Sequence, residues 1–184
     1  ESSMPDSPID LDTMVDDAVA LMSSLGHESF HVTGYSLGAV AALQTASRHS
    51  GKVMSVTSLC GWAVTDARMR LTFDVWRRLI EIDPALFMRY ALVDGFTADA
   101  LAGIEPMVEA MIGMTADTVA PGSIAHLDLD VIVDIAPLLS RITAPSLVIS
   151  GAQDRWVDPA HGQALSAGIK NATFCTLPAG HLVI

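Results

Sequence analysis

The sequence predicts an α/β fold: a parallel sheet with a block of helices inserted into it. Three observations carry that reading. First, β-prone and helix-prone runs alternate, from Phe30-His31-Val32-Thr33 through Ala39-Val40-Ala41-Ala42-Leu43-Gln44 to Lys52–Leu59. That is the order of a strand–helix–strand unit with a right-handed crossover. Second, the first strand runs through Gly34-Tyr35-Ser36-Leu37-Gly38 straight into the helix. So sharp a turn pushes a serine hydroxyl out at the carboxyl edge of the sheet. Third, strand character stops near Gly61 and returns only at Ala144–Gly151, with apolar residues at helical spacing between.

Bulk properties narrow the classes. At 184 residues the chain fits one domain, or one with a subdomain, and can bury a core. No apolar run approaches the length needed to span a bilayer. A net charge of −11 repels nucleic acid and anionic membranes, so neither is an expected partner. The two cysteines, Cys60 and Cys175, lie far apart in apolar runs and read as buried free thiols in a reducing compartment, hence a cytoplasmic protein. No cluster has zinc spacing and no Gly-rich phosphate loop is present, so no metal or cofactor is expected. The chain starts at Glu1 and stops at His181-Leu182-Val183-Ile184 within an apolar run, as though cut at both ends. Oligomeric state cannot be read.

Taken in order, Glu1–Pro8 is loop. Asp10 or Asp12 caps a helix running to about Leu25, with Gly26 as its C′ glycine. A strand covers about Ser29–Thr33, a helix Leu37 to about Ser47, and a strand Lys52–Leu59. Gly34 and Gly38 are read as places where a side chain would collide with a neighbour and where a positive φ is needed. These elements form a first core part, residues 1–61. Residues 62–142 divide at Asp83-Pro84, Asp94-Gly95 and Pro121-Gly122 into three or four helices, with a last helix over Asp130–Leu139. Such a block is expected to be a lid whose inner face lines an apolar pocket. The second core part, residues 143–184, holds a strand over Ala144–Gly151, a helix from Pro159 to about Gly168 and a strand over Ala172–Leu177.

A serine becomes a nucleophile when a base takes its proton and an acid holds the base's tautomer. Asp154 follows the strand ending at Ile149 by a Gly-Ala-Gln turn, and His181 follows the last strand in Pro-Ala-Gly-His. The order Ser36, Asp154, His181 is that of a nucleophile-elbow fold. Asp158 competes with Asp154, but Pro159 behind it marks a helix cap; Asp66 is a remote substitute. His27, His49 and His161 fall at helix ends or on helices as surface residues. His31 is expected in the core, and His126 in the lid.

The motifs Gly34-Tyr35-Ser36-Leu37-Gly38, Ile142-Thr143-Ala144-Pro145-Ser146-Leu147-Val148-Ile149-Ser150-Gly151-Ala152-Gln153-Asp154 and Pro178-Ala179-Gly180-His181 together resemble the α/β-hydrolase superfamily of the lidded Ser-His-Asp kind. The nearest group in style comprises cofactor-free haloperoxidases, enol-lactone hydrolases, carbon–carbon hydrolases and small esterases. The resemblance implies a serine hydrolase that cleaves an ester, lactone or related acyl bond of a small apolar substrate. Ser36, His181 and Asp154 would be catalytic, and the Leu37 amide would be half of an oxyanion hole. Tyr35, Trp62, Trp76 and Trp156 are the expected substrate contacts. Peracid formation or acyl transfer on the same residues, or ligand binding at a dead site, are the competing readings. It also implies that the four strands are the C-terminal half of an eight-stranded sheet. The earlier strands, their oxyanion-hole loop and a final helix are then expected outside the 184 residues.

Overall fold

The computed structural model describes residues 8–115, 119 and 121–183; apart from Pro8, the expected N-terminal loop lies outside them. The element order is α1 (Leu11–Ser24), β1 (Phe30–Tyr35), α2 (Leu37–Arg48), β2 (Val53–Leu59), α3 (Ala67–Ile82), α4 (Pro84–Gly95), α5 (Ala98–Ile104), α6 (Val108–Thr115), α7 (Pro121–Ile132), β3 (Ser146–Gly151), α8 (Pro159–Gly168) and β4 (Ala172–Leu177). The strands form a parallel sheet in the order β1-β2-β3-β4. Crossovers through α2, the helical insertion and α8 connect them.

Local chemistry explains the element ends. Asp10 caps α1 by accepting from the Thr13 amide, and Gly26 follows the helix with φ +82°, a conformation cheap only for glycine. Asp66, Asp83, Thr97 and Asp158 cap α3, α4, α5 and α8 in the same manner. Two boundaries differ from expectation. Pro121-Gly122, expected as a turn, opens α7, a position where proline's missing N–H is no loss. The helix expected over Asp130–Leu139 is instead the end of α7, a bridge between Val64 and Asp134, and a 3₁₀ turn over Ala136–Arg141. Pro137 lacks the amide that would continue the helix, and the Asp134 carboxylate caps the new turn through the Ala136 amide.

The register puts the rows Val32–Val56–Ser146–Ala172 and Gly34–Ser58–Val148–Phe174 on one face of the sheet. That face is packed by α2 against β1 and β2, and by α8 against β3 and β4. The core gathers there, with Val40, Leu43, Val56, Val148 and Leu165 at or below 1% exposure. The opposite face carries the rows Thr33–Thr57–Leu147–Thr173 and Tyr35–Leu59–Ile149–Cys175 and is half open. Two expectations fail for that reason. Cys175 is exposed rather than buried, and His31 is exposed at the β1 edge, its Nδ1 2.7 Å from Ser55 Oγ.

Candidate active site

Ser36 directly follows β1 and is the N-cap residue of α2, with φ 55° and ψ −124°, a conformation sparsely populated by any residue but glycine. The turn is possible because Gly34 has no side chain: a Cβ there would lie 1.9 Å from the Gly38 carbonyl oxygen. Gly38 itself faces open space and has no positive φ. The positive φ expected of the glycines is borne by Ser36.

At the same edge of the sheet, His181 and Asp154 arrive on loops laced together by backbone. The Ala152 and Gln153 amides donate to Leu177 and Ala179, at 2.7 and 2.9 Å. A Cβ on Gly151 would fall 2.2 Å from the Gly180 carbonyl, so this approach needs glycine. His181 Nε2 lies 3.0 Å from Ser36 Oγ, and His181 Nδ1 lies 2.7 Å from Asp154 Oδ2. With the proton on Nδ1, Asp154 accepts it and Nε2 is free to accept from the serine hydroxyl. Asp154 Oδ1 takes the amides of Trp156 and Val157, both at 2.9 Å, so the carboxylate is satisfied though only 5% exposed. His181 is 1% exposed.

The other candidates separate cleanly. Leu37 is the first residue of α2, where an amide has no acceptor within the helix and the helix's positive end lies. Tyr35 and Trp156 lie against the His181 imidazole, with ring centroids at 5.2 and 4.7 Å. The Tyr35 hydroxyl donates to the His181 carbonyl at 2.9 Å, holding the loop, and burial pushes its ionisation well up. Trp76 is one ring further out, edge-on to Trp156 at 4.6 Å. The expectation for Trp62 is corrected: it is 1% exposed in the core, with its indole N–H on Thr65 Oγ1, and has no surface to offer a substrate. Asp158 caps α8, and Asp66 caps α3 while pairing with His161 at 3.3 Å. His126 is exposed on α7.

One contributor was missed in the sequence. Cys60, directly after β2, has φ 52°, and its Sγ lies 3.9 Å from the His181 carbonyl oxygen. Cys60, Asp154 and His181 are the one group among the described residues with a metal-binding donor set, within 4.8 Å of one another. The donors suit hydrogen bonding better. Burial pushes the thiol up to about 12, and thiolate is the metal-binding form.

The whole chain, residues 1–184, matches the alpha/beta hydrolase fold family, and it belongs to that family. The pyrrolizixenacetamide deacetylase of Xenorhabdus hominickii is 26% identical over 83% of this chain and 59% of its own length. A Caulobacter vibrioides protein named for carbamate hydrolysis, RutD, is 27% identical over 88% of this chain and 61% of its own. Among solved structures, MGS-M2, an alpha/beta hydrolase enzyme from a Medee basin deep-sea metagenome library, is alike in fold. It covers 98% of this chain and 68% of its own with a TM-score of 0.90 at 18% identity. The chain thus spans about three fifths of the length of the curated relatives it matches. Its parallel strands correspond to the C-terminal half of the family's sheet. No described helix is long and apolar enough to cross a membrane.

Proposed function

We propose that the protein is a serine hydrolase acting on an acyl bond of a small, largely apolar substrate through a covalent acyl-enzyme. The observation that supports this most is the unbroken chain from Ser36 Oγ to His181 to Asp154, at 3.0 and 2.7 Å. Ser36 attacks the carbonyl carbon while His181 Nε2 takes its proton. The proton passes to the leaving group, and His181 then activates water to release the acid. Asp154 holds the tautomer and balances the charge on the imidazolium. The Leu37 amide faces the developing oxyanion, and a second donor comes from elsewhere in the whole protein. The helices between β2 and β3 act as a lid and supply apolar contacts, Trp76 of α3 among them, packed on the Trp156 ring that lies against His181.

A second reading concerns the bond cleaved. The relatives named for deacetylation and carbamate hydrolysis favour an amide or carbamate over a simple ester. The test is a panel of aryl ester, lactone, anilide and carbamate of matched acyl size, with Ser36→Ala alongside and with water, alcohol and peroxide competing. The reading requires a Ser36-dependent rate on at least one member, with water as acceptor. Equal rates for Ser36→Ala and the parent on every member would sink it.

A further inference from the structure

Trp156 makes four contacts, two of them with the site itself. Its backbone amide donates to Asp154 Oδ1 at 2.9 Å, and its ring lies 4.7 Å from the His181 imidazole at a tilt of 37°. Its indole N–H donates to Asp94 Oδ2 at 3.1 Å, and Trp76 of α3 stands edge-on to it at 4.6 Å. Asp94 closes α4, outside the sheet and outside the Ser-His-Asp group. It also has Arg155 at 3.8 Å and the Tyr90 hydroxyl at 3.5 Å. The next residue, Gly95, accepts the Leu182 amide at 2.9 Å, directly after His181. A Cβ on Gly95 would meet both Leu182 and Trp156 at 2.8 Å. The end of α4 therefore grips both the acid's loop and the base's loop.

We propose that Trp156, anchored by Asp94, is a positioning residue that stabilises the protonated form of His181 during turnover. The inference rests on the catalytic reading of His181 given above. When Ser36 attacks, its hydroxyl proton moves to Nε2 while the other proton stays on Nδ1, donated to Asp154, so the ring becomes an imidazolium. A cation within about 6 Å of an aromatic face is attracted by the ring's quadrupole, and Trp156 and Tyr35 both lie inside that distance. The attraction exists only while the imidazole carries charge, so it lowers the barrier rather than tightening substrate binding. Asp94 matters because an indole free to rotate loses that alignment.

The test is the pH profile of aryl-ester hydrolysis by the whole protein, comparing Trp156→Leu, Trp156→Phe, Asp94→Ala and Asp94→Asn. Trp156→Leu is expected to lose roughly three- to thirtyfold in kcat with little change in KM, the range of a cation over an aromatic face. The acid limb of kcat/KM should also move to lower pH, because the base loses a partner of its charged form. Trp156→Phe, which keeps a ring, should restore most of the rate and the limb. Asp94→Ala should shift both in the direction of Trp156→Leu, and Asp94→Asn, which keeps an acceptor, should not. If Trp156→Leu does not fold, the Asp94 pair alone decides, since Asp94 is partly exposed. Equal losses for Leu and Phe with an unmoved acid limb would show that the ring only fills space, overturning the proposal. Failure of the catalytic reading looks different: Ser36→Ala would match the parent.

Discussion

Ser36 carries strain that its neighbours enforce, and the strain can be measured. A non-glycine residue in so sparsely populated a conformation costs about 1–3 kcal/mol. Ser36→Gly should therefore be more stable to denaturant than Ser36→Ala by about 1 kcal/mol. Equal midpoints would show that Ser36 is unstrained. Asp154→Asn keeps the shape of the acid but not its charge, and should lower kcat by roughly four orders of magnitude. Asp130 shows the opposite extreme of environment. It is 9% exposed, its Oδ1 has no partner among the described residues, and burial pushes its carboxyl from 3.8 to about 7. The folded state then holds a proton that the unfolded state has lost, so stability falls as pH rises from about 4 to about 7. Asp130→Asn should flatten that slope and raise the unfolding temperature at pH 8; an unchanged slope would contradict it.

At the scale of elements, the site depends on glycines where loops cross. A Cβ on Gly180 would lie 2.3 Å from the Gly95 carbonyl oxygen, so Gly180→Ala must displace the His181 loop or α4. Misplacing a catalytic group by about 1 Å can cost about a hundredfold, and a kcat loss near that size is expected. Gly103→Ala on α5, where a Cβ meets nothing within 4 Å, is the control and should leave kcat unchanged. Most of these elements were legible in the sequence. Strands, helices and caps around Ser36, Asp154 and His181 follow from local pattern and turn chemistry. Three things were not legible. The 3₁₀ turn over Ala136–Arg141 depends on a long-range bridge from Val64 to Asp134. The burial of Trp62 depends on helices packed over it. Cys60 beside His181 depends on sheet register, which a lone cysteine after a strand does not announce.

For the molecule as a whole, the sheet is parallel yet covered on one face. Parallel sheets in folded proteins are ordinarily buried on both. Leu147 is 37% exposed on the open face, and β1 leaves its outer edge unpaired among the described residues. An unpaired edge beside an apolar face is a template for association. The isolated 184-residue chain should therefore self-associate with concentration in analytical ultracentrifugation, less so as Leu147→Lys. A monomer at every concentration would contradict this.

In the proposed mechanism one serine of this chain is activated by the groups gathered around it. Intact mass spectrometry of the folded protein after fluorophosphonate treatment, with Ser36→Ala and His181→Ala in parallel, tests it most directly. A single adduct on the parent, absent from Ser36→Ala and slowed by roughly three orders of magnitude or more in His181→Ala, is the predicted result. An adduct that persists in Ser36→Ala, or none on the folded parent, would contradict it.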